Sequence, residues 1–105
     1  MIKQKQKAVK TPTKFDVRTS MKAMLAFERL PTKVQRQIRI AVEELKRGHE
    51  FALRREKIEN ASRTLYSGRI NKKLRMIYRY KDDHAIEIVG FVDQRENPEL
   101  VKVRA

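Results

Sequence analysis

Between residues 32 and 48 the apolar positions Val34, Ile38, Ala41, Val42 and Leu45 fall at i, i+4, i+7, i+8 and i+11. That spacing draws one face of an α-helix. Lys33, Arg36, Gln37, Arg39, Glu43, Glu44 and Arg47 take much of the remainder, with Glu43 and Arg47 set to pair one turn apart. Gly48 is a natural stop, because glycine adopts the left-handed backbone that ends many helices. Upstream, Ser20 is a candidate N-cap, and Met21, Met24, Leu25, Phe27 and Leu30 give a first helix its core-facing side. Pro31 suits the joint, since proline is tolerated only at or before a first turn. Residues 20–47 therefore read as an αα-hairpin.

Further along the period changes from about 3.6 to two. Leu74, Met76, Tyr78 and Tyr80 alternate with Lys73, Arg75, Ile77 and Arg79, which puts the first set on one face of a sheet and most of the charge on the other. Residues 63–70 form the partner strand, and Asn71-Lys72-Lys73 is the turn between them. After a second turn at Asp82-Asp83, residues 85–92 (AIEIVGFV) are dense in β-branched and apolar side chains and read as an interior strand. Residues 14–18 (KFDVR) alternate weakly and suit a short first strand, and residues 49–59 read as a loop with at most a short helical turn. Residues 93–98 are a break, followed by a short extended tail. The predicted order is β-α-α-β-β-β: an α+β domain in which a helical hairpin covers one face of an antiparallel sheet. Residues 1–14 hold five lysines, no acid and no period, which predicts a flexible basic arm ahead of a single domain at 15–105.

Charge sharpens this picture. The 105 residues carry 26 Lys and Arg against 13 Asp and Glu, a net charge of +13. Such an excess favours a polyanionic partner. It is concentrated in residues 63–81, which hold seven basic residues and no acid. Ser67, Arg69, Arg75 and Arg79 converge near one hairpin face, where like charges set opposite each other cost stability. A bound anion offsets that cost, and the planar fork of arginine fits two phosphate oxygens. Tyr66, Tyr78 and Tyr80 stand among these charges as possible base-stacking groups, but alternation assigns Tyr78 and Tyr80 to the core face.

Other chemistries find little support. There is no cysteine, hence no thiolate, disulfide or Cys-based zinc site. His49 and His84 have no ligand-like spacing and read as surface residues, so no metal or other cofactor is expected. The three glycines do not cluster into a phosphate loop. No secretory signal or membrane span is apparent, and the expected location is the cytoplasm.

The segment LYSGRINKKLRMIYRYKDDHAIEIVGFV resembles the hairpin and last strand of the RelE/ParE toxin superfamily. It is most similar to the YoeB-like branch, where a Tyr/Trp-Ser-x-Arg-Ile-Asn turn is followed by His/Tyr-Arg-Leu-Val-Tyr. LPTKVQRQIRIAVEELKRG is similar to the second helix of that superfamily, and the resemblance spans residues 15 to about 97. It implies the toxin of a type II toxin–antitoxin pair that cuts mRNA on the ribosome by attack of the 2′-hydroxyl on the neighbouring phosphate. Such chemistry needs a base, a cation for the phosphorane and an acid for the leaving oxygen. By resemblance Arg75 stabilises the phosphorane, Arg69 holds phosphate and Glu56 is the general base, with Glu59 a near rival because the register runs through a loop. Arg95 matches a C-terminal arginine of the RelE-like branch; Lys57, Ser67, Lys72, Lys73 and Arg79 are the accessory RNA contacts. The partners implied are a cognate acidic antitoxin, the ribosome and mRNA. The chain departs from the pattern at its end. Where active members finish with Gly-His-Arg and a tyrosine, or with His-Tyr, it reads Asp93-Gln94-Arg95, and no Tyr or His follows. That departure leaves two alternatives open: a ParE-like toxin that poisons DNA gyrase without nucleolysis, and a non-catalytic nucleic-acid-binding protein.

Overall fold

The computed structural model describes residues 13–58 and 64–93. The chain enters on strand β1 (Asp16–Thr19), turns into helix α1 (Met21–Glu28) and then helix α2 (Thr32–Lys46). A 3-10 turn (Glu50–Leu53) leads to strand β2 (Glu56–Ile58), and β3 (Leu65–Arg69), β4 (Leu74–Asp82) and β5 (Ala85–Asp93) complete the sheet. Its spatial order is β1-β5-β4-β3-β2. Three pairings are antiparallel, two of them the hairpins expected around Asn71 and Asp82, but β1 runs parallel to β5 where an antiparallel sheet was expected. The helices lie between those two strands in sequence and carry the chain back across the sheet, so a parallel edge follows from the connection.

Helix caps appear where the residues demand them. Ser20 Oγ accepts the Ala23 amide hydrogen at 3.1 Å. Gly48, at φ +80°, donates to the Leu45 carbonyl, and the His49 amide reaches back to the Glu44 carbonyl, the left-handed closure expected after α2. The i, i+4 pair expected between Glu43 and Arg47 is absent; Lys46 takes Glu43 instead, at 3.3 Å, while Arg47 caps the helix.

Helix α2 buries Ile38, Ala41 and Leu45, with Val34 and Val42 half-buried beside them, as its period requires. Helix α1 is rotated from the expected setting. Its buried residue is Ala23, with Phe27 and Leu30 packed behind it at i+4 and i+7, while Met21 (71% exposed), Met24 and Leu25 face outward. A small residue at the contact lets the helix approach the sheet closely, and the larger methionines are displaced to the rim. On the sheet, Met76, Tyr78, Ile86 and Ile88 fill the core beneath the helices. The register slips between Ile77 and Tyr78, opposite Gly90 and Ile88. This bulge accommodates Val89 and restores alternation one residue later, so Phe91 rather than Gly90 joins the core.

The largest departure from expectation is residues 49–59. They hold the 3-10 turn and then a three-residue edge strand, Glu56–Ile58, paired to β3. The basic arm up to residue 12, Glu59, and the tail from residue 94 including Arg95 lie outside the described residues.

Candidate functional site: a guanidinium–carboxylate cluster on the outer sheet face

Strand register decides which side chains meet. Arg69 is the direct cross-strand partner of Arg75, Ser67 of Ile77 and of Glu56. A period of two then places Glu56, Ser67, Arg69, Arg75, Ile77 and Arg79 on the face turned away from the helices. Lys57 is opposite Tyr66 and therefore belongs to the helical side of the edge. Lys72 and Lys73 are exposed in the β3–β4 turn, where Asn71 Oδ1 accepts the amide hydrogens of Lys73 and Leu74 at 2.8 and 3.0 Å.

Arg75 is the centre of this cluster, and it is buried: 5% of its surface is exposed. Its Nε donates to Ser67 Oγ at 2.9 Å, and its Nη2 donates to the Arg54 carbonyl at 2.9 Å and to the Ser67 carbonyl at 3.3 Å. Ser67 itself is fully buried, a bracket for the guanidinium rather than a surface contact. Burial pushes the Arg75 pKa below the usual arginine value; Glu56 pulls it back up, and the neighbouring charge of Arg69 lowers it further. Arginine retains its proton throughout the physiological range.

Glu56 supplies the negative group. Its Oε1 lies 3.9 Å from Arg75 Nη2, beyond hydrogen-bonding range, and is buried without a partner. The rest of the side chain is open, at 40% exposure. Oε1 therefore faces Arg75, and the exposed remainder of the carboxylate is the part that a ligand can reach. Arg69 is the complementary feature: half-buried, beside Arg75, and with no side-chain hydrogen bond or ion pair among the described residues. Arg79, expected among the RNA contacts, is held by Glu87 through Nε at 2.9 Å across β4 and β5.

A second network lies on the helical face, and sequence reasoning missed it. Glu50 accepts hydrogen bonds from the hydroxyls of Tyr78 and Tyr80 and from Arg55 Nη1. Burial, followed by the Glu50 charge, pushes the Tyr78 phenol well above its ordinary value. Tyr66 stacks on Tyr78, and Arg55 sits 4.7 Å from the Tyr66 ring centre. Tyr78 is thus buried, and Tyr66 and Tyr80 are half-buried against the core. This clamp fastens the 3-10 turn to β4, and that turn ends at Arg54, whose left-handed backbone (φ 51°) presents the carbonyl that Arg75 uses. His49 hydrogen-bonds with Glu44, and His84 sits at the far end of β4 from Arg75, so neither stands at the cluster. Among the described residues no three His, Cys, Asp or Glu side chains gather as a metal site, and no helix is long and apolar enough to cross a membrane.

This helical hairpin over a five-stranded mixed sheet matches the fold of the RelE and YoeB toxins. The archaeal RelE–RelB complex from Pyrococcus horikoshii OT3 superposes at a TM-score of 0.64 and 20% identity, over 77% of this chain and 96% of that one. The YoeB dimer from Staphylococcus aureus gives 0.60 at 23%, covering 75% and 95%. The YoeB/ParE toxin from Agrobacterium tumefaciens gives 0.64 at 17%, covering 75% and 98%. No protein-family model and no curated protein matches the sequence.

Proposed function

We propose that the protein is the toxin of a toxin–antitoxin pair and a metal-independent, ribosome-dependent mRNA endonuclease. The observation that carries this reading is the juxtaposition of Arg69, free of any acidic partner among the described residues, with the Arg75–Glu56 pair. The shared fold and the net charge of +13 support it. Arg69 binds the scissile phosphate. Glu56 takes the proton of the 2′-hydroxyl as its oxygen attacks phosphorus. Arg75, fixed by Ser67 and the Arg54 carbonyl, supplies positive charge behind the phosphorane. The bond from phosphorus to the 5′-oxygen breaks, leaving a 2′,3′-cyclic phosphate, and the 5′-oxygen takes its proton from solvent. Arg95 remains the candidate to assist that departure. Lys72 and Lys73 hold flanking phosphates.

The antitoxin reading has its own support. The RelE and YoeB structures include RelE–RelB and YoeB–YefM complexes. In this chain an apolar groove of about 380 Å³ opens between the helices and β5, lined by Met24, Phe27, Ile38, Val42, Ile88 and Phe91, together with Arg39 and the Lys46–Glu43 ion pair. A segment with apolar anchors fits this surface, and an acidic residue on it has Arg39 to face.

One observation favours a second reading. All three Arg75 side-chain hydrogen bonds are internal, as a structural guanidinium requires, and a ParE-like toxin acting on gyrase needs no reacting centre. The two separate on one experiment. Purified protein added to translating ribosomes is expected to cut mRNA in the A site, leaving 2′,3′-cyclic phosphate and 5′-hydroxyl ends. Intact mRNA together with inhibited gyrase supercoiling would overturn the nuclease reading.

A further inference from the structure

We propose that Phe51, on the outside of the 3-10 turn, is a stacking platform for a base of single-stranded RNA flanking the cleaved phosphate. This rests on the endonuclease reading above.

Phe51 is 80% exposed, the most open large hydrophobic side chain among the described residues. Its position is dictated by its neighbours. In a 3-10 turn residues i and i+3 eclipse. Glu50 points inward to the tyrosine hydroxyls, and Leu53 points inward against β3, where a Cβ on Gly68 would come within 3.1 Å of it. Phe51 is thereby forced out, on a turn anchored at both ends. The imidazole of His49 lies 6.0 Å away, inclined by 34°, and is itself held by Glu44 at 2.9 Å. A rigid ring in water with a second ring beside it is a surface of the kind on which bases stack.

The charge around it suits a nucleic acid. Gly48, Glu50, Phe51, Arg54 and Arg55 line an open cleft of about 490 Å³. The Glu50 carboxylate is committed to three donors, one of them Arg55. Arg54 is exposed, and its guanidinium has no partner among the described residues. The cleft thus offers one uncompensated cation next to one flat ring. A protein anchor calls for a contiguous apolar pocket; an isolated ring flanked by arginine fits a base and its phosphate better. Position along the chain links platform to cluster. Arg54, three residues on, gives its carbonyl to Arg75, and Glu56 follows two residues later. Three residues of backbone span at most about 11 Å.

The chain contains no tryptophan, so Phe51→Trp introduces a single indole reporter at this position. The probe is a short 2′-O-methylated RNA strand, which cannot cleave itself. Its addition should quench the emission of the Phe51→Trp variant saturably, with the affinity of the unsubstituted protein. Phe51→Ala and Phe51→Leu should each weaken binding roughly five- to 100-fold, the loss of one stacked base, since leucine keeps the apolar bulk but not the plane. Circular dichroism should be unchanged in all three. The platform is overturned if the indole is unaffected while the RNA still binds and Arg69→Ala weakens that binding; the endonuclease reading then stands. It is equally overturned if an acidic peptide quenches the indole and RNA does not. If the unsubstituted protein fails to bind the RNA even at low salt, both readings fall together.

Discussion

Arg75→Ala should lower the stability of the domain by about 3 kcal/mol, at roughly 1 kcal/mol for each of three lost hydrogen bonds. The direction follows from burial. Removing the guanidinium leaves the Arg54 carbonyl and the Ser67 oxygens without the donor that satisfied them in a buried site. Glu56 beside it loses a cation 3.9 Å away, a smaller loss because no hydrogen bond joins the two. Relief of the repulsion from Arg69 returns a few tenths of a kcal/mol. In urea, the unfolding midpoint should fall with an unchanged slope. Loss of toxicity in this variant therefore says little about chemistry unless the folded fraction is measured beside it. An unchanged midpoint would mean that the guanidinium is not the structural pin described here.

Glu56→Gln should do the reverse: fold normally and cut slowly. The substitution keeps the shape and removes the charge and the proton-accepting oxygen. A positioned general base contributes about 10²- to 10⁴-fold, and the cleavage rate on the ribosome should fall by that order. The side chain lies on a short edge strand and is 40% exposed, so the unfolding free energy should change by less than about 0.5 kcal/mol, as for most surface substitutions. Binding of uncleavable RNA should persist. A Glu56→Gln protein that cleaves at the full rate would remove Glu56 from the chemistry and return attention to Glu59.

Much of this was readable from residue order, and the exceptions have physical causes. Helix α2 and strand β4 obey their periods over many residues, and local turn chemistry at Ser20, Gly48 and Asn71 marked the ends. Strand β2 escaped because it is three residues long, charged and at an edge, and edge strands commonly look like loops in sequence. The outward methionines of α1 escaped because Met21, Met24, Leu25 share one face and Ala23, Phe27, Leu30 another, and only packing against the sheet decides between them. The parallel edge and the Glu50 clamp join residues dozens apart, which no local pattern encodes. Alternation put Arg69 and Arg75 on one face, and the register agrees. What alternation could not show is that Arg75 is sealed by a backbone carbonyl from the preceding turn, leaving Arg69 as the open cation.

That division of labour is tested most directly by salt titration of single-stranded RNA binding to the unsubstituted protein and to Arg69→Ala. Each phosphate neutralised on a single strand adds about −0.7 to the slope of log affinity against log salt. The account predicts weaker binding by Arg69→Ala and a slope shallower by about that amount, with stability unchanged or slightly raised. Equal affinity and equal slope in the two proteins would contradict it.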